Sequence, residues 1–209
     1  MSPTSPRRTA LPSVAGSRVG VLALQGDFRE HLAVLNGLGA TAVPIRRAEE
    51  LSEIDGLVIP GGESSVMDKL SRMFGLAAPL TESIAAGLPV YGTCAGLIML
   101  SNTVLDSIAG QQSFGGFDIE VRRNAFGSQV DSFETDLDVP VLGDPPMHAV
   151  FIRAPVVESV GSGVTVLAAL DDGRMVAVEQ GNLLGTSFHP EMTGDTRFHE
   201  YFLRKVAAA

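Results

Sequence analysis

The twelve-residue stretch Pro89-Val-Tyr-Gly-Thr-Cys-Ala-Gly-Leu-Ile-Met-Leu100 decides the predicted fold. It starts as a short apolar strand, turns sharply at Cys94 and continues as an apolar helix. Gly92 and Gly96 stand two residues before and two after the cysteine, in the pattern G-x-C-x-G. Small residues at these positions let a strand turn tightly into a helix and push a nucleophile out of the sheet. The stretch predicts either a cysteine nucleophile at a helix N-terminus, where thiolate is favoured, or a small buried cysteine in a strand–helix corner.

The amino-acid composition is typical of a globular chain and restricts its partners. The 209 residues are 45% hydrophobic and 19% charged, which predicts one domain with its own core, from residue 18 to residue 209. The net charge of -9 argues against nucleic acid, since there is no basic stripe to neutralise phosphates. A single cysteine excludes an internal disulfide and favours a cytoplasmic location.

The N-terminal segment differs in composition from the rest of the chain. Residues 1–17 are rich in proline, serine and threonine and contain Arg7 and Arg8. A twin arginine suggests an export signal, but no continuous apolar segment follows it. We therefore predict that residues 1–17 are a disordered leader, or the product of an upstream start, ahead of the first strand. We expect no association with a membrane, because no apolar run is long enough to span a bilayer.

Buried strands alternate with helices in the first half of the chain. Apolar strands are predicted at residues 18–25, 41–45 and 56–60 and before Cys94, and helices at 28–38, 66–73 and 79–86 and after Cys94, with a short helix or turn at 49–54. Asp27 is the predicted N-cap of the first helix, and Pro44 places the second strand near a sheet edge. This order predicts an α/β fold, a flavodoxin-like three-layer sandwich around a mostly parallel sheet.

The second half of the chain has the alternating pattern of antiparallel strands. Apolar and polar residues alternate at 117–123, 129–137 and 165–170. Residues 174–179 and 183–188 flank Gly181-Asn182, which predicts a hairpin. We expect these strands to extend the sheet or to form a small side layer, and residues 196–206 to form a helix.

The segment Ser187-Phe-His-Pro-Glu191 supplies the strongest partners for Cys94. The proline keeps His189 out of the helical region, and residues two apart in an extended segment lie on the same side. His189 is therefore predicted to be a base that accepts the thiol proton, with Glu191 orienting it. The alternative is a histidine at a strand end that happens to precede a proline.

The three remaining histidines have no comparable setting. They lie on the first predicted helix, in a proline-rich loop and on the last predicted helix. We interpret all three as structural: His31, His148 and His199.

A glycine pair follows the third predicted strand, in the sequence Pro60-Gly-Gly-Glu-Ser64. Paired glycines leave backbone N–H groups free to face a ligand. With the N–H of Ala95, they predict an oxyanion hole, and the alternative is a glycine turn capped by Glu63 or Ser64. A phosphate-binding loop is excluded, because no G-K-[ST] sequence follows.

Together these motifs resemble class I glutamine amidotransferases and, more narrowly, the glutaminase subunits of pyridoxal 5′-phosphate synthases. The resemblance runs from about residue 18 to the last helix, through blocks in the same order. The blocks are Leu22-Ala-Leu-Gln-Gly26 with Arg29-Glu-His31, Pro60-Gly-Gly-Glu-Ser64, Gly92-Thr-Cys-Ala-Gly96, Arg123-Asn-Ala-Phe-Gly127, Phe151-Ile-Arg-Ala-Pro155 and Ser187-Phe-His-Pro-Glu191. Ser128 departs from the family pattern, in which a basic residue is common at that position.

The resemblance implies an activity and a role for each matching residue. Cys94 would attack the side-chain amide of L-glutamine, with His189 as base and acid and Glu191 as the orienting carboxylate. The substrate-binding residues would be Gly61, Gly62, Glu63, Arg123, Ile152 and Arg153, with Gly62 and Ala95 at the oxyanion. Gln25 would lie near the passage by which ammonia reaches a barrel-shaped synthase subunit. No metal and no cofactor is expected.

The residues themselves support part of this assignment. Arg123 ends the apolar strand face of Phe117, Ile119 and Val121, where an arginine needs a carboxylate. Arg153 likewise interrupts the apolar run at 149–152. The alternative for each arginine is a side chain that reaches solvent at a strand end.

Three other functions remain open from the sequence. The first is a glutaminase that supplies a different synthase, which the Leu-Gln-Gly and Arg-Asn-Ala-Phe-Gly blocks disfavour. The second is a cysteine hydrolase or chaperone-like protein of related fold, which would not need the His-Pro-Glu sequence. The third is a non-catalytic regulatory binding module, which would be expected to have lost the nucleophile or the base.

Overall fold

Twelve strands and five α-helices make up the part of the chain that the computed structural model describes, residues 16–125 and 132–209. The strands are β1 Arg18–Leu22, β2 Thr41–Ile45, β3 Gly56–Ile59, β4 Val90–Thr93, β5 Ser101–Leu105, β6 Phe117–Arg122, β7 Ser132–Leu137, β8 Met147–Ile152, β9 Val156–Val160, β10 Thr165–Ala169, β11 Met175–Gln180 and β12 Leu183–Thr186. The helices are α1 Phe28–Gly37, α2 Ser64–Met73, α3 Ala77–Ala85, α4 Ala95–Leu100 and α5 Arg197–Ala208, with 3₁₀ turns at Ala48–Glu53, Pro140–Leu142 and Pro190–Met192.

Some of the predictions lie outside the described residues. They are the predicted leader as far as residue 15, Phe126 and Gly127 of one block, Ser128, and residues 129–131 of one predicted strand.

One large sheet organises the fold and confirms the predicted α/β class. Within the described residues its strand order is β2-β1-β3-β4-β12-β11-β9-β6-β5, with β10 paired to β11. The pairs among β2, β1, β3, β4 and β12 are parallel, whereas β11 runs antiparallel to β12, β9 and β10. Strands β7 and β8 form a separate antiparallel pair. The antiparallel strands predicted for the second half are therefore confirmed, as is the edge position of the strand that contains Pro44.

Alternate residues of the central strands bury themselves against helices on opposite faces. Val58 and Tyr91 belong to the core beneath α1 and α5, whereas their neighbours Ile59 and Val90 belong to the core beneath α2, α3 and α4. Such a strand is apolar on both sides, which explains its continuous apolar sequence. The helices on the two faces are the outer layers of the predicted sandwich, and the two cores lie between them and the sheet. In the described residues, no helix is long and apolar enough to cross a membrane.

Several local predictions need correction. Strands β5, β8 and β9 were not predicted as strands. Helix α2 begins at Ser64, two residues earlier than predicted, because the Glu63 side chain caps it by accepting a hydrogen bond from the Ser65 N–H at 3.3 Å. Asp27 occupies the predicted N-cap position of α1, but its side chain makes no capping hydrogen bond.

The turn from β4 into α4 depends on close backbone packing. Cys94 has φ 48° and ψ −103°, which is the strained conformation expected at an elbow. A Cβ atom on Gly92 would lie 2.6 Å from the carbonyl carbon of Gly96, and one on Gly96 would lie 2.0 Å from the carbonyl oxygen of Ile59. Glycine is therefore required at position 92 for α4 to lie this close to β4, and at position 96 for α4 to lie this close to β3.

We predict opposite effects for two glycine-to-alanine substitutions. Gly96→Ala should destabilise the protein by about 1–3 kcal/mol, because the new methyl group meets backbone that cannot move aside. Gly37→Ala, in α1 with nothing within 4 Å of its Cβ position, should instead stabilise by about 0.5–1 kcal/mol. Urea unfolding of both variants measures the difference, and equal effects would show that the elbow packing is looser than described.

Candidate active site

Cys94 stands at the carboxyl end of β4, at the centre of the parallel part of the sheet. Its backbone N–H donates to the carbonyl of Thr186 at 2.8 Å, which ties the elbow to β12. Its Sγ lies 4.0 Å from the carbonyl oxygen of Ile152. Ala95 is the first residue of α4, so its N–H has no carbonyl partner within the helix.

The register of β4 and β12 brings His189 to the same edge of the sheet. Thr93 and Thr186, the last residues of these parallel strands, are paired. His189 follows three residues later, and its backbone N–H donates to the carbonyl of Val150 at 3.0 Å. The chain then enters the 3₁₀ turn Pro190–Met192 and not the predicted extended segment. This turn brings a carboxylate oxygen of Glu191 to 2.8 Å from Nδ1 of His189, with both side chains buried.

The surroundings of His189 favour its protonated form. Burial by itself lowers the pKa of the imidazole, but hydrogen bonds and charge interactions with Cys94 and Glu191 outweigh it and raise the pKa from 6.5 to about 10. A protonated imidazole that lies beside a cysteine and is held by a carboxylate is the arrangement that activates a cysteine nucleophile.

A pocket of about 260 Å³ opens above these side chains. Seven of the predicted site residues line it, namely Gly62, Glu63, Cys94, Arg123, Ile152, Arg153 and His189. The other four lie immediately behind this lining. Glu191 is behind His189, Ala95 is buried after Cys94, Gly61 packs on the His189 ring, and Gln25 packs on Gly62.

The glycine loop is held by Gln25. The Gln25 side-chain oxygen accepts a hydrogen bond from the Glu63 N–H at 3.1 Å, and its amide nitrogen is buried with no hydrogen-bond partner among the described residues. Gly62 has φ 135°, and a Cβ on it would lie 2.5 Å from the Gln25 amide. Gln25 therefore fixes the orientation of the peptide that joins Gly62 to Glu63.

The two predicted arginines differ in their surroundings. The Arg123 guanidinium, only 9% exposed, donates to a Glu63 carboxylate oxygen at 2.8 Å and to the Gln111 side chain at 2.9 Å. Within the pocket, Glu63 is thus a carboxylate partner of Arg123. Arg153 has a positive φ of 42° and follows Ile152 at the end of β8.

His31 and His199, which we interpreted as structural, lie next to the predicted site residues, and Asp27 was not predicted as a residue of the pocket. The Asp27 carboxylate lies 3.5 Å from Nδ1 of His189 and lines the pocket. His31 and His199 are fully buried on the far side of Glu191. Their positions in the sequence, on two different helices, gave no signal of this proximity. His148 is different, since it lies on the surface of the β7–β8 pair, where it contacts Glu134 and Asp136.

Ligand atoms of Asp27, His189 and Glu191 lie within 4.8 Å of one another, close enough to hold a metal ion. Nδ1 of His189 and Oε1 of Glu191 are already hydrogen-bonded to each other at 2.8 Å. The arrangement therefore fits a base with its orienting carboxylate better than a metal centre.

Fold and pocket together place the chain among α/β proteins that carry a cysteine at a strand–helix elbow. The chain belongs to the SNO glutamine amidotransferase family, whose model matches residues 21–208.

Similarities to individual proteins support this assignment. The chain is 72% identical over 194 residues to the pyridoxal 5′-phosphate synthase subunit PdxT of Leifsonia xyli subsp. xyli, with 92% of this chain and 98% of that protein covered. It is 67% identical to the protein of the same name from Clavibacter michiganensis subsp. michiganensis, with 93% of each covered. A crystal structure of a glutamine amidotransferase is similar with a TM-score of 0.84 and 47% identity, over 90% of this chain and 98% of that one.

We predict that the pKa of His189, about 10 in the parent chain, falls in the Cys94→Ala variant. Alanine removes the hydrogen bond and charge of Cys94 that favour imidazolium, whereas the burial that opposes it remains. An NMR titration of ¹³C-labelled histidine measures the shift. His148→Gln is the matched control, because His148 lies outside the pocket and its removal should leave the His189 pKa unchanged.

The raised pKa of His189 in the parent chain also makes the stability of the fold depend on pH. Because the pKa of His189 is raised in the folded chain, protonated His189 stabilises the fold fully below pH 6.5, and this stabilisation is lost as the pH rises toward about 10.

If His189 had the same pKa in the parent and in the Cys94→Ala variant, the predicted interaction between Cys94 and His189 would be contradicted.

Proposed function

We propose that this chain is the glutaminase subunit of a pyridoxal 5′-phosphate synthase and releases ammonia from L-glutamine through a Cys94-His189-Glu191 triad. The observation that supports it most directly is the pocket at the ends of β4 and β12, where Cys94 lies beside the buried His189–Glu191 pair. The names of the two bacterial relatives support the synthase as the destination of the ammonia.

The proposed reaction proceeds in two halves. The Cys94 thiolate attacks the side-chain amide carbon of glutamine, and His189 donates its proton to the departing nitrogen, so that ammonia and a glutamyl thioester form. His189 then takes a proton from the water that attacks the thioester, so that glutamate is released, the Cys94 thiolate and the His189 imidazolium are restored, and the proton of the new carboxyl group passes to solvent. The balance is glutamine plus water to glutamate, ammonia and a proton.

The remaining pocket residues bind the substrate in this proposal. A glutamine carries an α-carboxylate and an α-ammonium, and the pocket offers Arg123 and Arg153 for the first and Glu63 for the second. Backbone of Gly61, Gly62 and Ile152 surrounds the side chain. The N–H groups of Gly62 and Ala95 stabilise the oxyanion that forms on the amide carbon.

We predict that Glu191→Gln lowers kcat by about a hundredfold or more, because the neutral side chain of the new glutamine cannot stabilise the His189 imidazolium as the carboxylate does. KM should change by less than about threefold, since Glu191 lies behind His189 and outside the lining of the pocket. Steady-state release of ammonia measures both, with Cys94→Ala as the inactive control. A change confined to KM would make Glu191 a substrate-binding residue.

The proposal includes a docked synthase subunit. Ammonia released into water would be protonated and lost, so its use requires a shielded path to an acceptor enzyme. Gln25 supports such coupling, because it lies outside the lining of the pocket and still fixes the Gly62–Glu63 peptide. We further propose that this subunit is barrel-shaped, that ammonia reaches it through a passage near Gln25, and that the complex is cytoplasmic.

We expect the purified chain alone to hydrolyse glutamine slowly and the added synthase subunit to activate it. Docking would reorient a peptide of the Gly61-Gly62 loop, where glycine makes two backbone states similar in energy. The assay compares glutamate production with and without the synthase subunit, using asparagine as the control substrate. Full activity of the isolated chain, with no complex detected by ultracentrifugation, would refute both the partner and the gating. A non-catalytic binding module would instead bind glutamine without hydrolysing it in either state.

A further inference from the structure

A buried pair of histidines lies directly behind the proposed triad. His31 on α1 and His199 on α5 are both fully buried, and Nδ1 of His31 is 2.9 Å from Nε2 of His199. The two residues are 168 positions apart, so the fold and not the local sequence brings them together. The proposed reaction assigns no role to either side chain.

The second ring nitrogen of His31 points toward the triad carboxylate. Nε2 of His31 is 3.2 Å from the Thr93 hydroxyl and 3.5 Å from Oε2 of Glu191. The other Glu191 oxygen, Oε1, is the one bound to His189. Oε2 is buried and accepts no hydrogen bond of normal geometry from the described residues. A buried carboxylate oxygen without a donor is costly, which favours a donor at the nearby nitrogen.

The tautomer of His31 decides whether that donor exists. If the proton is on Nε2, it faces Glu191 and Thr93, and Nδ1 accepts a hydrogen bond from the Nε2–H of His199. If the proton is on Nδ1, a lone pair on Nε2 faces the carboxylate at 3.5 Å, and the remaining N–H of His199, on Nδ1, has no partner among the described residues. The first arrangement leaves fewer buried donors unpaired and avoids that repulsion.

Both rings are neutral at neutral pH, as this arrangement requires. Burial, then the neighbouring His199 and His189, lower the pKa of His31 well below 6.5. Burial lowers the pKa of His199 to about 4. The titratable groups around the pair are Glu191, His189 and Tyr91, whose ring meets His199 edge-on.

We propose that His31 is a positioning residue, whose Nε2–H donates to Oε2 of Glu191 and so holds Oε1 on His189, with His199 fixing the required tautomer. Thr93 competes for the same proton at a shorter distance, but a hydrogen bond to a carboxylate is about twice as strong as one to a neutral oxygen. The role rests on the proposed function, because it acts through the orienting carboxylate of that triad.

A matched pair of substitutions separates the two nitrogens of His31. His31→Gln places an amide nitrogen near the position of Nε2 and keeps a donor toward Glu191, but it loses the acceptor for His199. His31→Asn keeps a polar group toward His199 and is too short to reach Glu191. With the synthase subunit present, we expect kcat to fall about tenfold in His31→Asn, as for the loss of one hydrogen bond to a charged group, with KM unchanged. The kcat of His31→Gln should stay within about threefold of the kcat of the parent chain. The control variant His148→Gln should have the same kcat as the parent chain.

Two NMR measurements on the full chain test the proposal without reference to turnover. Long-range ¹⁵N spectra of the unsubstituted chain should show His31 as the Nε2–H tautomer. The His189 pKa should fall in His31→Asn, because Glu191 is released, and should be retained in His31→Gln. The tautomer measurement remains available if His31→Asn does not fold.

An Nδ1–H tautomer of His31 would overturn the proposal, as would a lower kcat in His31→Gln than in His31→Asn. An unsubstituted chain that produces no ammonia with its synthase would refute the proposed function instead. In that case the tautomer and the His189 pKa still decide whether His31 positions Glu191.

Discussion

The close approach of Gly96 to the carbonyl of Ile59 is the constraint on which the site depends. It brings α4 against β3 at a distance that no side chain at position 96 would allow. With α4 fixed, the chain must turn at Cys94 with a positive φ, and the thiol is presented beyond the end of β4. The hydrogen bond from the Cys94 N–H to Thr186 then ties this turn to β12, the strand that leads to His189. A backbone contact between β3 and α4 thus sets the relative position of two side chains 95 residues apart.

Parallel strands explain why these side chains meet at all. The carboxyl ends of β3, β4 and β12 lie at one edge of the sheet, and each is followed by a short segment that carries functional groups. The glycine loop follows β3, Cys94 follows β4, and the His189–Glu191 pair follows β12. Burial at this edge has opposing consequences for charge. It disfavours an isolated imidazolium, and only partners on both sides of His189 make the charged form the stable one.

The features that could be predicted from the sequence are those that a short stretch of residues determines by itself. The G-x-C-x-G spacing, the alternating strands and the Gly181-Asn182 hairpin each depend on residues that are close in the chain. Strand β5 was missed because it follows α4 without an intervening turn residue, so the apolar helix leads directly into it. Strand β9 was missed because its first two residues are both buried, which breaks the alternation. The contacts of His31 with His199 and Glu191 join α1, α5 and the turn after β12. No local sequence pattern predicts contacts between such distant segments.

The segment from Gln25 to Asp27 shows how tertiary contacts override a local preference. Aspartate before a helix usually caps it, yet the Asp27 side chain reaches His189 instead. The reason lies one residue earlier, because Gly26, with φ 81°, packs against the carbonyl oxygen of Gly61 so closely that a Cβ there would lie 1.8 Å from it. The loop before α1 and the glycine loop after β3 therefore form one packed unit, and a displacement of Gln25 cannot leave the glycine loop in place. Since α1 also contains His31, this unit links the glycine-loop side of the pocket to the Glu191 carboxylate behind His189.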